Sequence, residues 1–243
     1  MIPDPSERRA DGAPAVRPSP YLLPAEPGEF AIHGYTRGAK SVAQELLEAV
    51  LLSVVIFFLV QMAIQNRVVL GQSMEPTLRN DERLFIDRVS YLRIDAGLLG
   101  GGGPSHEIWL LGGPQRGDIV VFHPPVEGEK DDYIKRVIAV AGEQVEVRAY
   151  KGVYVNGRLL SEPYIKDTPD YSWPALGESG VVPPGHVFVL GDNRRNSSDS
   201  HLWGFLDAGR IVGKAVVSYW PEPLIGILPH PAYADLNSRA PGP

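Results

Sequence analysis

The two residues with the most chemical potential lie far apart in the chain. Ser73 opens the hexapeptide Ser73-Met74-Glu75-Pro76-Thr77-Leu78, and Lys135 sits within Tyr133-Ile134-Lys135-Arg136-Val137-Ile138-Ala139-Val140. A serine that opens a tight turn just past a membrane-length apolar segment is a candidate nucleophile. A lysine in the middle of an apolar strand is a candidate base, because burial disfavours its charged form and leaves a free amine near neutral pH. Such an amine can take the proton of a serine hydroxyl, which is the activation that Ser-Lys hydrolysis needs. Each residue also has a plainer explanation. Ser73 would be a turn or cap serine ahead of Pro76, and Lys135 a snorkelling or ion-paired lysine on a strand.

The strand around Lys135 sharpens the choice. Alternation puts Lys135 with Tyr133, Val137 and Ala139, and Arg136 with Ile134, Ile138 and Val140. Both faces are mostly apolar, so the strand is expected to be covered on both sides, with at least one of its two cations partly desolvated. A third segment, Gly191-Asp192-Asn193-Arg194-Arg195-Asn196-Ser197-Ser198-Asp199-Ser200-His201, follows an apolar run and carries more short hydrogen-bonding side chains than a simple turn requires. As a functional loop it would orient the lysine amine with hydroxyls and pair its aspartates with arginines; as a plain one it is a solvated turn. Asp199 and His201 also invite a Ser-His-Asp reading, but no G-x-S-x-G elbow surrounds any serine.

These residues need elements to hold them, and the rest of the 243-residue chain supplies candidates. From Leu46 to Ile64 the chain is almost wholly apolar, just enough to cross a bilayer. No small-x-small exit follows it at Met62-Ala63-Ile64-Gln65-Asn66, so an uncleaved anchor over residues 41–66 is expected in place of a cleaved leader or a buried helix. Arg37 and Lys40 flank its amino side, while Arg67, Arg79 and Arg83 follow on the other, so charge alone leaves its orientation open. Residues 1–40 read as a disordered Pro-rich tail.

After Asn66 the pattern becomes short β-branched runs punctuated by Gly, Pro and Asn. Strands are expected at residues 68–70, 84–86, 119–122, 133–140, 145–150, 153–155, 187–190 and 211–220, with a primed hairpin turn at Asn156-Gly157. That is a mostly β, antiparallel body over residues 67–228, with a smaller β cap at 143–188 and a C-terminal tail at 229–243. The glycine run within 98–104 reads as a flexible loop without a phosphate-binding role. A net charge of −6 argues against nucleic acid as a partner. The chain has no cysteine, and none of its six histidines sits at helical zinc spacing, so neither a metal nor another cofactor is expected.

With these segments placed, the chain resembles the bacterial type I signal peptidases (leader peptidases). The resemblance rests on the hexapeptide at 73–78, Gly117-Asp118-Ile119-Val120-Val121-Phe122, the Lys135 strand and the Gly191–Ser200 loop, in the family's order after an amino-terminal anchor. His201-Leu202-Trp203-Gly204-Phe205-Leu206 resembles the cyanobacterial versions.

What the resemblance implies is concrete. Ser73 is the nucleophile and Lys135 the general base. Ser197 hydrogen-bonds the lysine amine, Asp192 pairs with Arg136, and Asp199 supports the loop, with a pH-dependent contact to His201. Val69, Met74, Leu78, Tyr133 and Ile134 wall a shallow pocket for the residue before the cut. Gly71 leaves the oxyanion hole resting on the Ser73 N–H, since some members carry a hydroxyl there. The implied activity is cleavage of signal peptides after Ala-x-Ala, on the outer face of the cell membrane beside the export machinery. Trp203, Tyr219 and Trp220 are candidates to dip into lipid, or else core aromatics. One rival is a non-catalytic, membrane-anchored peptide-binding β-module; another is a self-cleaving Ser-Lys regulator, which would need a DNA-binding head where this chain has an apolar segment.

Overall fold

The computed structural model describes residues 41–95, 107–231 and 233; the tail expected at 1–40 and the glycine-rich loop at 98–104 lie outside them. The chain divides into two compact units, residues 1–49 and 50–243. The described part of the first is the start of helix α1, Val42–Ala63. Ser41 starts the helix with a reciprocal cap: its Oγ accepts the Gln44 N–H, and the Gln44 carboxamide accepts the Ser41 N–H. At 1.5 Å per residue the helix is about 33 Å long, the thickness of a hydrocarbon core. None of its residues is buried against protein, so it fits a membrane anchor.

The strands are β1 (Ile64–Val68), β2 (Arg83–Asp87), β3 (Arg93–Asp95), β4 (Glu107–Trp109), β5 (Ile119–Phe122), β6 (Tyr133–Val140) and β7 (Val145–Arg148). They continue with β8 (Gly152–Val155), β9 (Arg158–Leu159), β10 (His186–Leu190), β11 (Leu206–Asp207), β12 (Ile211–Trp220) and β13 (Gly226–Ile227). A four-residue helix α2, Ser200–Trp203, lies between β10 and β11. The main antiparallel sheet runs β1-β2-β12-β5-β6-β10-β11, with β13 paired to β12. β7-β8-β9 form a separate three-stranded sheet within the segment expected to cap the body. The Asn156-Gly157 hairpin forms as expected, both residues with positive φ (50° and 76°).

The central strands are buried on both sides, as their unbroken apolar sequences require. Along β5, Ile119 and Val121 join one core cluster with Leu84, Ile86 and Ala215, while Val120 and Phe122 join another with Val137, Val189 and Leu206. Two boundaries differ from expectation. Helix α1 ends at Ala63 and β1 begins at once with Ile64, earlier than the strand expected at 68–70. Pairing with β2 from Ile64↔Asp87 to Val68↔Arg83 draws these residues into the sheet, against a local pattern that reads as helix end. The strand expected at 145–150 stops at Arg148, because Tyr150 takes a positive φ of 60° to turn the chain. The three candidate lipid-dipping aromatics separate: Trp203 packs edge-on to Phe122 in the core, Tyr219 stacks on Phe85, and Trp220 is exposed.

Candidate active site

The turn that carries Ser73 is built by the end of the β1–β2 ladder. Val69 N–H donates to Glu82 O and Asp81 N–H to Val69 O, so the strands stay paired through Val69 before the chain turns out. Gly71 then takes φ +87°, which a side chain would strain, and its N–H is held by Asn80 Oδ1 at 2.7 Å. Met74 and Leu78, both fully buried, pin the far side of the turn into the core.

β6 brings the lysine. Both of its cations are buried: Lys135 is 4% exposed and Arg136 not at all. They are handled differently. Arg136 forms a bidentate pair with Asp192, Nε to Oδ1 at 2.9 Å and Nη2 to Oδ2 at 2.7 Å, and lies over the Tyr164 ring. Lys135 makes no ion pair among the described residues. Its Nζ stands 2.7 Å from Ser73 Oγ and 3.0 Å from the Ile134 carbonyl oxygen. Burial lowers its pKa from 10.5 to about 8, and the more distant Asp199 and Asp192 only partly oppose that. The geometry joins a desolvated amine to a hydroxyl across 62 positions of sequence.

The loop after β10 clamps the two halves together. Asp192, fully buried, also accepts the Thr77 hydroxyl at 2.5 Å, so one carboxylate ties the Lys135 strand to the Ser73 turn. Asn193 N–H donates to Ser73 O at 3.0 Å, and its amide Nδ2 to Gln72 O at 3.0 Å. Asp199 caps α2, accepts Gly191 N–H at 2.9 Å and meets His201 Nδ1 at 2.6 Å, with the imidazole stacked on Tyr171. Arg194, also buried, bonds the Gly191 carbonyl and pairs with Glu162.

Several expected roles need correction. Ser197 does not hydrogen-bond Lys135: its Oγ is buried without a partner because it packs against Gly191, while the amine is taken by Ser73 and Ile134. The Ser-His-Asp arrangement, already disfavoured for want of a G-x-S-x-G elbow, has no serine hydroxyl on His201 among the described residues. A cleft of about 760 Å³ beside the Ser73–Lys135 pair is lined by Gly71, Tyr133 and Ile134, with Leu70, Asn196 and Ser198 added. Val69, Met74 and Leu78 do not line it; they lie in the core, in the cluster against which Ile134 packs.

Sequence reasoning assigned no role to Gly191, Thr77 or Asn193. For two of them a signal was present, since Thr77 sits inside the hexapeptide and Gly191 separates an apolar strand from Asp192. A Cβ on Gly191 would fall 2.3 Å from Ser197 Oγ and 2.4 Å from the Ser73 carbonyl oxygen, and the second is backbone that cannot swing aside. Gly191→Ala must therefore shift the Ser73 turn and disturb its register with Lys135. A displacement approaching an ångström at reacting groups costs on the order of 10²-fold in rate. The expected outcome is a fall of that order in kcat with KM little changed, measured by steady-state peptide cleavage.

A family model described as signal peptidase, peptidase S26, matches residues 43–220. Signal peptidase I of Leptolyngbya laminosa is 35% identical over 89% of this chain and 97% of its own length. Probable signal peptidase I-1 of a Synechocystis strain is 40% identical over 72% of this chain and 80% of its own; probable signal peptidase I-2 of that strain is 38% identical over 68%, and the match spans 66% of its length.

Proposed function

Because the chain belongs to the signal peptidase S26 family, whose relatives cleave signal peptides as their names state, we propose that it is a membrane-anchored serine endopeptidase with Ser73 as nucleophile and Lys135 as general base. The observation that carries this reading is the 2.7 Å approach of a buried amine, with a pKa near 8, to Ser73 Oγ. Neutral Lys135 accepts the hydroxyl proton as Oγ attacks the scissile carbonyl. The resulting ammonium returns that proton to the leaving amine, and an ester-linked acyl-enzyme remains. The same amine then deprotonates water to release the acid.

Substrate position follows from an unfilled edge. β10 pairs with β6 only from Arg136 onward, so residues 133–135 have β5 on one side and, among the described residues, no strand on the other. An extended preprotein segment adds there, against residues 68–71 across the cleft. Ile134, backed by the core cluster of Val69, Met74 and Leu78, gives the cleft an apolar wall that fits a small side chain before the cut, as an Ala-x-Ala preference requires. The Ser73 N–H makes no hydrogen bond among the described residues and is the available oxyanion donor. Signal peptides are cut after translocation, which places the body on the outer side of the membrane, near the export machinery. A non-catalytic peptide-binding module fits the open edge equally well, but gives no reason for an unpaired buried lysine against a hydroxyl.

The test is cleavage of a synthetic Ala-x-Ala preprotein across pH. Only the unprotonated amine is active, so kcat/KM should rise about tenfold per pH unit well below 8 and level off above it. A profile that is flat from pH 6 to 9 would exclude Lys135 as the base.

A further inference from the structure

Beyond β13 the chain runs onto the body at the buried arginine of β6. Leu228 N–H donates to Val216 O, and its side chain joins the core cluster of Met74 and Leu84. Pro229 O then accepts Arg136 Nη1 at 3.3 Å, the same nitrogen that reaches Gly117 O at 3.0 Å. Pro231 and Tyr233 press on Gly117. A Cβ there would meet the Tyr233 ring at 3.1 Å and the Pro231 carbonyl oxygen at 3.3 Å, and the residue takes φ +95°.

Tyr233 is tied to the same arginine by a second route. Its hydroxyl is 2.7 Å from that of Tyr164, and the Arg136 guanidinium lies 4.1 Å over the Tyr164 ring. Arg136 is thereby closed off from water, with Nε and Nη2 on Asp192, Nη1 on two carbonyl oxygens and one face on an aromatic ring. A buried ion pair keeps its geometry when its remaining donors are met, and Pro229 O meets one of the five N–H groups that a guanidinium carries. Asp192 in turn accepts the Thr77 hydroxyl. A continuous path of contacts thus runs from Tyr233 through Tyr164, Arg136, Asp192 and Thr77 into the turn that opens at Ser73.

We propose that Tyr233, together with the Pro229 carbonyl, is a positioning element of the catalytic site, acting through Arg136 and Asp192 to hold the Ser73 turn at the Lys135 amine. Two observations set this apart from plain packing. The segment meets Arg136 at its guanidinium, and the carboxylate on the other side of that guanidinium is the one that binds the nucleophile's turn. Tyr164, on which the guanidinium rests, bonds Tyr233 through its hydroxyl, so the segment also steadies that ring. The proposal rests on Ser73 and Lys135 being the reacting pair.

The test is a double-variant cycle on the full chain, read by steady-state cleavage of an Ala-x-Ala preprotein. Tyr233→Ala should lower kcat about tenfold with KM little changed, and Tyr233→Phe, which keeps the ring on Gly117 and loses only the Tyr164 bond, about threefold. Thr77→Val cuts the same path closer to Ser73, so in that background neither change at Tyr233 should lower kcat further. General loosening of the fold would instead make the two losses multiply. Multiplying losses overturn the positioning role, and so does Tyr233→Ala with the kcat of wild type. If Tyr233→Ala does not fold, Tyr233→Phe with and without Thr77→Val decides by the same comparison. Wild type no faster than Ser73→Ala would remove the catalytic reading itself, and this role with it; wild type that cleaves while the losses multiply sinks the role alone.

Discussion

Lys135→Met is expected to lower peptide cleavage by about 10⁴-fold or more while raising the melting temperature. Ser73→Ala should lose as much activity without that gain. The loss of rate is what removing one member of a nucleophile–base pair costs when the two act as a unit. The gain in stability follows from the sign of the pKa shift. The folded state holds the amine near pKa 8 against 10.5 for an exposed lysine, so the folded state binds fewer protons than the unfolded state between those values. Protonating a buried amine therefore opposes folding fully below pH 8, and that penalty fades as pH rises toward 10.5. A shift of this size corresponds to on the order of 3 kcal/mol. The difference in melting temperature between Lys135→Met and wild type should be large at pH 7 and vanish above about pH 10.5. Equal melting temperatures at pH 7 would mean that the amine is not desolvated, and retained activity would remove the dyad.

The second large effect concerns Arg136 and Asp192. Each is fully buried, and each compensates the other. Arg136→Met strands a carboxylate in the core and is expected to cost about 3–5 kcal/mol. Replacing both partners, Arg136→Met with Asp192→Leu, should recover much of that stability, because no charge is then left buried alone. It should not recover activity, since Thr77 and the Ser73 turn also lose their anchor. Thermal unfolding of the three variants beside wild type separates these outcomes. A double variant less stable than either single one would contradict the compensation argument.

How much of this was legible in the sequence depends on the range of the interaction. The β6 alternation, the Asn156-Gly157 turn and the limits of β12 were readable because pattern and turn chemistry are local. β3, β4, β9, β11 and β13 are two or three residues long and exist through pairing with distant partners, so no local signal marked them. Alternation showed that β6 had to bury charge, but not that Arg136 would be neutralised and Lys135 left unpaired. That distinction is made by Asp192, 56 positions later. Ser197 illustrates the limit: whether its hydroxyl meets the amine or packs against Gly191 is decided by loop geometry finer than a motif resolves.

The direct passage from α1 into β1 has a mechanical consequence. No hinge separates Ala63 from Ile64, and the Arg88 N–H bond to the Ala63 carbonyl fastens the junction from the side. The end of α1 is thus fastened directly to the strand that leads into the Ser73 turn, with no loop between them. For the proposed peptidase, that junction predicts that cleavage depends on the spacing between a leader's apolar stretch and its scissile bond, which leaders of stepped spacing would measure.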